Sequence, residues 1–419
     1  MYNKNLFTNT LIYTISTIIN SAIPFLLIPI LTRFFSPVDY GFISIYAVLI
    51  AFVTPFIGYN ILPSITALIY SDNKNELPIY IGNIFLILLT STILTSFSFL
   101  FLVNWIKIQT QIPVFWIWSS ILLTFNQFIA QIILTIWQAK NKAINFGIFQ
   151  ITSTILNFTL TIIFILFFNK NWTVRIESQL ITSVLFALIA IFILFKNRLL
   201  KFQFNLDYFI SGLKFGVPLI PHVIGGIFLS IVNRFFIVKY VGLNEAGLFF
   251  LAFQLTSIIN IFTNALNTAY VPWLFSKLEN INDNQKRKIV VLTYKYFIFL
   301  TITSVVFTFL LPTLLHLLVG KDYYSSQKYF NWLVIGCVAN GMYLMVTNYI
   351  VYAKKTHYLA FSTFTSSLIC IGLNYLFIIK YGALGAAIAS ALGFIILFLS
   401  TWILSSIAFK MPWFNFKNT

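Results

Sequence analysis

The chain reads as a succession of long apolar runs, each closed by charged or turn residues. They fall at about 10–35, 41–69, 79–103, 113–137, 145–168, 178–195, 212–233, 246–275, 289–312, 329–352, 357–379 and 383–409. A helix that crosses a bilayer takes about 20 apolar residues. The only backbone that satisfies itself in hydrocarbon within one segment is a helix, so the pattern predicts an all-α integral membrane protein with twelve transmembrane helices. The longest connection, Lys196 to Ser211, mixes charges with Leu, Phe and Tyr, which suits an interfacial segment. The predicted organisation is therefore a six-helix N-terminal lobe over 1–197, an interfacial cytosolic linker over 198–211, and a six-helix C-terminal lobe over 212–419.

Inside the runs, polar positions recur at helical spacing. The eighth run carries Gln254, Ser257, Asn260, Asn264 and Asn267 at steps of three, three, four and three, which places the amides on one face. The fourth carries Ser120, Thr124, Gln127, Gln131, Thr135 and Gln138 in the same manner, and the tenth adds Asn340, Tyr343 and Thr347. One role for such stripes is hydrogen bonding between helices at ~0.6 kcal/mol per contact. The other, favoured by three stripes of which two occupy corresponding helices, is the lining of a water-filled cavity between the halves, suited to a hydroxyl-rich substrate. Gln127, Gln131, Gln254, Asn260, Asn264 and Asn340 are the expected sugar-facing residues. Prolines mark the first and seventh runs: Pro24 and Pro29 in one, Pro218 and Pro221 in the other. Proline frees a carbonyl and kinks a span, so these four are expected hinges.

Composition removes other classes of function. Only 8% of the 419 residues are charged and mean hydropathy is +0.92, whereas a soluble domain carries about a quarter charged residues. No soluble catalytic domain fits between the runs. A net charge of +17 would suggest nucleic acid in a soluble protein, but loops retained in the cytosol collect Lys and Arg. With an N-terminus in the cytosol, that face receives 16 Lys and Arg and the opposite face 9, with Lys295 inside the ninth run set aside. Both termini are expected to be cytosolic, and no nucleic-acid partner is expected.

The nine acids sit at loops or helix ends, the three histidines are scattered, and Cys337 and Cys370 lie inside apolar runs. No acid pair, metal-ligand spacing or disulfide framework emerges, so neither a catalytic residue, a metal nor a cofactor is expected. His222, alone in the proline-rich seventh run, reads as a packing residue. Arg33 and Arg234 end the two proline-bearing runs. A guanidinium pairs with phosphate in a forked geometry, whereas snorkelling to the lipid interface beside Asp39 or Glu245 is the alternative. Lys140, Lys354 and Lys295, with Lys142 and Lys355, could likewise gather an anionic lipid.

The two halves echo each other. Arg33-Phe34-Phe35 followed by Asp39-Tyr40-Gly41 answers Arg234-Phe235-Phe236 followed by Glu245-Ala246-Gly247, and Gln138-Ala139-Lys140 answers Tyr352-Ala353-Lys354 at an offset of 214. Two six-helix halves of one topology would be related by a pseudo-twofold axis along the membrane normal.

These strings, with Gly382-Ala383-Leu384-Gly385-Ala386-Ala387 before the last run, resemble the bacterial polysaccharide flippases of the MOP exporter superfamily, the Wzx-type O-antigen and capsule transporters. The resemblance implies two six-helix lobes around a central cavity and alternating access in the bacterial cytoplasmic (inner) membrane. It implies as substrate an undecaprenyl-pyrophosphate-linked oligosaccharide repeat unit moved from the cytosolic to the periplasmic leaflet. Arg33 and Arg234 are the positions that best match the family's pyrophosphate-binding cations. Implied partners are the lipid-linked substrate and membrane lipid, with a polysaccharide polymerase and chain-length regulator downstream of a monomer. Asn233 stands where an acid commonly precedes the second arginine, which argues against a proton role there. The competing classes are a membrane-embedded polymerase or glycosyltransferase, which calls for a long external loop, and a cation-coupled multidrug exporter, which calls for an acid in the first or seventh helix.

Overall fold

A computed structural model of the chain describes residues 16, 19–20, 22–71, 74–168, 171–279 and 281–413, the side chains of Lys74 and His222 excepted. Helices follow the apolar runs closely. They are α1 (Ala22–Phe34), α2 (Pro37–Val53), α3 (Leu62–Ile69), α4 (Leu77–Thr110), α5 (Val114–Ala139), α6 (Ala143–Phe167) and α7 (Thr173–Lys196). After the connection come α8 (Leu206–Gly216), α9 (Ile220–Ser230), α10 (Val232–Tyr240), α11 (Leu243–Thr256), α12 (Ile258–Leu278), α13 (Asp283–Leu318), α14 (Phe330–Tyr352), α15 (His357–Tyr381) and α16 (Ala383–Ala408). Eleven stretches among the described residues are long and apolar enough to cross a membrane. The first predicted run begins outside the described residues, and its described part is α1.

The helix ends follow local chemistry. Ser36 caps α2, its hydroxyl accepting from the Asp39 amide while Asp39 accepts from the Ser36 amide, and Pro37 fills the first turn where no amide is needed. Asn282 and Gln285 repeat this reciprocal cap at the start of α13. α4 and α13, at 34 and 36 residues, are about 50 Å long at 1.5 Å per residue, so each outruns a hydrocarbon core of about 30 Å.

Three predicted runs are broken in ways the apolar pattern hides. The second splits into α2 and α3 around Gly58, Tyr59 and Asn60, all at positive φ. At Gly58 a side chain would collide with the Phe128 ring, and the freed backbone amide donates to Ser91 Oγ at 2.9 Å. The seventh divides at a short 3₁₀ turn, Val217–Leu219, that contains Pro218, and again at Ile231. The eighth divides into α11 and α12 at Ser257. α1 stays helical through Pro24 and Pro29 over its described length.

The chain forms two compact units, Met1–Ile227 and Phe228–Thr419. In the first, α5 is the most enclosed span and packs against α2, α3, α4 and α7. Ile81, Ile84, Leu88, Ile129, Ile132 and Ile133 form its core, while Phe97, Phe101 and Trp105 on α4 are exposed to lipid. The segment after α7 is strapped along α4: the Lys201 amide donates to the Pro78 carbonyl, and the fully buried Asn83 binds the Gln203 carbonyl and the Asn205 amide. In the second unit α16 packs against α14 and α15. Gly385, Ala389 and Gly393, spaced by four, give the close approach: a side chain at Gly385 would meet the Phe377 carbonyl at 2.0 Å, and one at Gly393 the Cys370 thiol at 2.8 Å.

Candidate functional site

The first unit encloses a cavity of 590 Å³, within the size of small-ligand sites, about 300–1,000 Å³. α5, α6 and α7 supply most of its wall, and α1 and the broken second run close it. Thirteen of its 21 lining residues carry an amide or hydroxyl and none is charged. Gln127 and Gln131 of the predicted sugar-facing set are there. Thr124 also lines it, its hydroxyl bonded back to the Ser120 carbonyl at 2.7 Å, which leaves the longer glutamines to meet a ligand.

About half of the polar wall comes from helices the sequence analysis did not single out. α6 contributes Gln150, Ser153, Thr154 and Asn157, and α7 contributes Gln179, Thr182 and Ser183. The signal was present, because Gln150, Ser153, Asn157 and Thr161 step by three or four along one helix face. Asn126 donates to Ser183 Oγ at 3.3 Å, tying α5 to α7, while Thr154 bonds Asn20, tying α6 to the segment that leads into α1. The side-chain oxygen of Gln150 is buried with no hydrogen-bond partner, an arrangement that costs free energy in a membrane interior unless water or ligand answers it.

Arg175 stands just before the sixth apolar run and is one of the nine cations that the charge pattern assigns to the external face. It lies instead inside α7, one turn from Gln179, and its guanidinium donates to Asn157 and, at 3.0 Å, to Thr161. A cation that never loses its proton thus polarises an amide of the cavity wall. Among the described residues it has no carboxylate partner; Asp39 is occupied by Ser36 and by the Trp172 amide.

The other predicted cations are not gathered at this cavity. Arg33 is exposed at the end of α1. Arg234, in the second unit, is 4% exposed, lies 4.6 Å from the Phe250 ring and 4.5 Å from the Phe253 ring, and has an unpartnered Nε. The two rings stabilise the guanidinium by cation–π attraction. Glu245 is taken by Lys328 at 3.0 Å and by Tyr329. Lys140 and Lys354 are exposed at the ends of α5 and α14, and partial burial with Lys142 nearby holds Lys140 below the usual lysine range. Lys295 lies on α13 beside Trp273 and Lys288.

The second-unit amides of the predicted set do not line this cavity. Asn340 donates to Asn260 at 3.2 Å and Asn348 to Asn267 at 2.8 Å, a polar seam between α12 and α14. Asn264 is exposed and bonds back to the Asn260 carbonyl at 2.7 Å, and Gln254 is half-buried on α11. Pro218 and Pro221 are exposed at the α8–α9 junction. The side chain of His222 lies outside the described residues. No group of His, Cys, Asp and Glu able to hold a metal occurs among the described residues, and both cysteines are buried and free.

Comparison with known proteins agrees with this architecture. Residues 6–279 match the model of a family described as polysaccharide biosynthesis protein. An uncharacterized membrane protein of Haemophilus influenzae is 27% identical over 378 residues, covering 88% of this chain and 89% of that one. The Lsg locus putative protein 1 of the same organism is 22% identical over 87% of this chain and 89% of its own. Among solved structures, the lipid II flippase MurJ in an inward closed conformation aligns with a TM-score of 0.74 at 18% identity, covering 94% of this chain and 87% of that chain. A point mutant of the Vibrio cholerae MATE transporter VcmN aligns at 0.64 and 16% identity over 97% and 96%. The match to the family model covers well over half of the chain, and the fold is that shared by the flippase and MATE structures. The chain is therefore a multi-pass membrane protein that belongs to the polysaccharide biosynthesis protein family.

Proposed function

We propose that the protein is a flippase that carries an undecaprenyl-pyrophosphate-linked oligosaccharide repeat unit from the cytosolic to the periplasmic leaflet of the inner membrane. The observation that carries this reading is the uncharged, amide- and hydroxyl-rich cavity of the first unit. Sugars present donors and acceptors in every direction. Glutamines and asparagines, each both donor and acceptor, can answer them without imposing a charge. Gln127, Gln131 and Gln179 are the proposed sugar contacts, and Arg175 holds Asn157 in register behind them. The cations Arg33, Lys140 and Lys354, exposed at helix ends, attract the pyrophosphate by charge, and the polyprenyl tail remains in lipid. Breaks at Gly58, at Val217–Leu219 and at Ile231 supply the places where alternating access bends the helices, with Pro218 at the second.

Transport in proteoliposomes tests the reading. Purified protein is expected to move a polyprenyl-pyrophosphate oligosaccharide across the bilayer and to leave a cationic dye unmoved. The double variant Gln127→Leu, Gln131→Leu is expected to lose transport by about tenfold or more while inserting normally, as the loss of two hydrogen bonds to substrate requires. Dye export, or unchanged oligosaccharide transport by the variant, would overturn the assignment.

A further inference from the structure

The second unit holds a concave site that the polar cavity of the first unit does not explain. α12 and the first third of α13 enclose a pocket of 780 Å³ whose wall carries four cations, Lys277, Arg287, Lys288 and Lys295, and no carboxylate. Lys288 and Lys295 are seven residues apart, two turns along one face of α13 and about 10 Å of axial rise. Lys277 approaches from α12. Trp273 and Leu292, 40% and 45% exposed, add an apolar wall.

An excess of cations on a cytosolic face needs no ligand, but their convergence in a hollow does, because like charges in a concave, weakly polar wall repel one another. Asp283 pairs with Lys286 at 3.3 Å, and Lys286 is outside the pocket lining. What the wall lacks is a multiply charged anion attached to an apolar chain.

We infer that this α12–α13 pocket binds the diphosphate head of a polyprenyl lipid, with the first isoprenes against Trp273 and Leu292. The pocket would be the receiving site for the substrate on the face proposed as cytosolic. This rests on the flippase reading for the identity of the lipid; the diphosphate chemistry rests on the wall itself. Each lysine offers a charged donor, and several together match a diphosphate better than a single-charge phospholipid head.

Titration of the purified full chain, read by the fluorescence of Trp273, tests the site. Farnesyl diphosphate is expected to change the emission of the wild type and not that of Trp273→Phe. Lys288→Gln with Lys295→Gln is expected to weaken binding by at least about tenfold, while Lys286→Gln binds as the wild type does. Farnesol, which lacks the head, and inorganic pyrophosphate, which lacks the chain, are each expected to bind at least about tenfold more weakly than farnesyl diphosphate. Equal binding of farnesol would overturn the anionic site, and equal binding of inorganic pyrophosphate would overturn the lipid as its source. A signal that survives Trp273→Phe, or full affinity in the double lysine variant, would move the ligand elsewhere. Failure of this inference is distinct from failure of the flippase reading. Wild-type protein that flips oligosaccharide lipid but gives no Trp273-dependent signal refutes the pocket alone, whereas binding without transport refutes the flippase.

Discussion

Single residues in this chain act through close approach and through unsatisfied polarity, the two forces that matter where water is absent. Gly385 has no room for even a methyl group, since that carbon would sit 2.0 Å from the Phe377 carbonyl, whereas Gly372, inside α15, has nothing within 4 Å of the same position. Gly385→Ala is expected to destabilise the protein by about 1–3 kcal/mol, and Gly372→Ala to stabilise it by about 0.5–1 kcal/mol through helix propensity. Unfolding in mixed micelles would show the opposite signs; equal effects would mean that the α15–α16 contact is looser than its geometry. Arg175→Met leaves Asn157 and Thr161 without their charged donor, and a loss of about 1.5–3 kcal/mol is expected in the same measurement. Arg175 was hard to read from sequence because it stands near the start of an apolar run, where positive-charge statistics assign every cation to a loop. Only the facing residues on α6 reveal its place.

At the scale of helices, the twelve apolar runs locate almost every span within a few residues, because period and length are direct consequences of the bilayer. Pro218 marks the break at Val217–Leu219, whereas those at Gly58, Ile231 and Ser257 were not legible from hydropathy, since each lies in a largely apolar stretch. The polar stripes separate into two kinds that sequence alone could not distinguish. On α5 the glutamines look into a cavity, whereas on α12 the asparagines pair with α14. Spacing identifies a face, and the neighbouring helix decides what that face does. A double-mutant cycle on Asn260 and Asn340 is therefore expected to give a coupling of about 0.6 kcal/mol in stability, with none between Gln127 and Asn340. The turns ending α5 and α14 also correct the register of the internal comparison. The left-handed residue is Asn141 in one and Lys354 in the other, and Lys142 and Lys355 close matching bonds to the carbonyls five residues back, an offset of 213 rather than 214. The same turn also follows α7 at Arg198, so it is a recurrent way to end a helix rather than a signature of duplication.

For the molecule as a whole, the charge asymmetry sets an expectation about orientation that labelling can test. Cys337 and Cys370 are buried, so single introduced cysteines can be labelled against a silent background. In spheroplasts, an impermeant maleimide is expected to label Asn244→Cys and to reach Asn141→Cys only after the membrane is opened; the reverse pattern would invert the topology. The strap along α4 bears on how the chain is made. Asn83, buried deep in the first unit, donates to the Ile79 carbonyl on its own helix and takes its two long-range backbone partners from Gln203 and Asn205, and Gly216 fits against the Tyr59 carbonyl. A nascent chain that has delivered only its first six spans therefore still lacks the donor for the buried Asn83 oxygen and the segment that packs against Tyr59. Folding of the first unit is therefore expected to wait until the chain up to Ile227, the end of that unit, has been delivered. A gene cut at the obvious linker should yield a first fragment prone to degradation, while a cut just beyond that residue should yield one that accumulates.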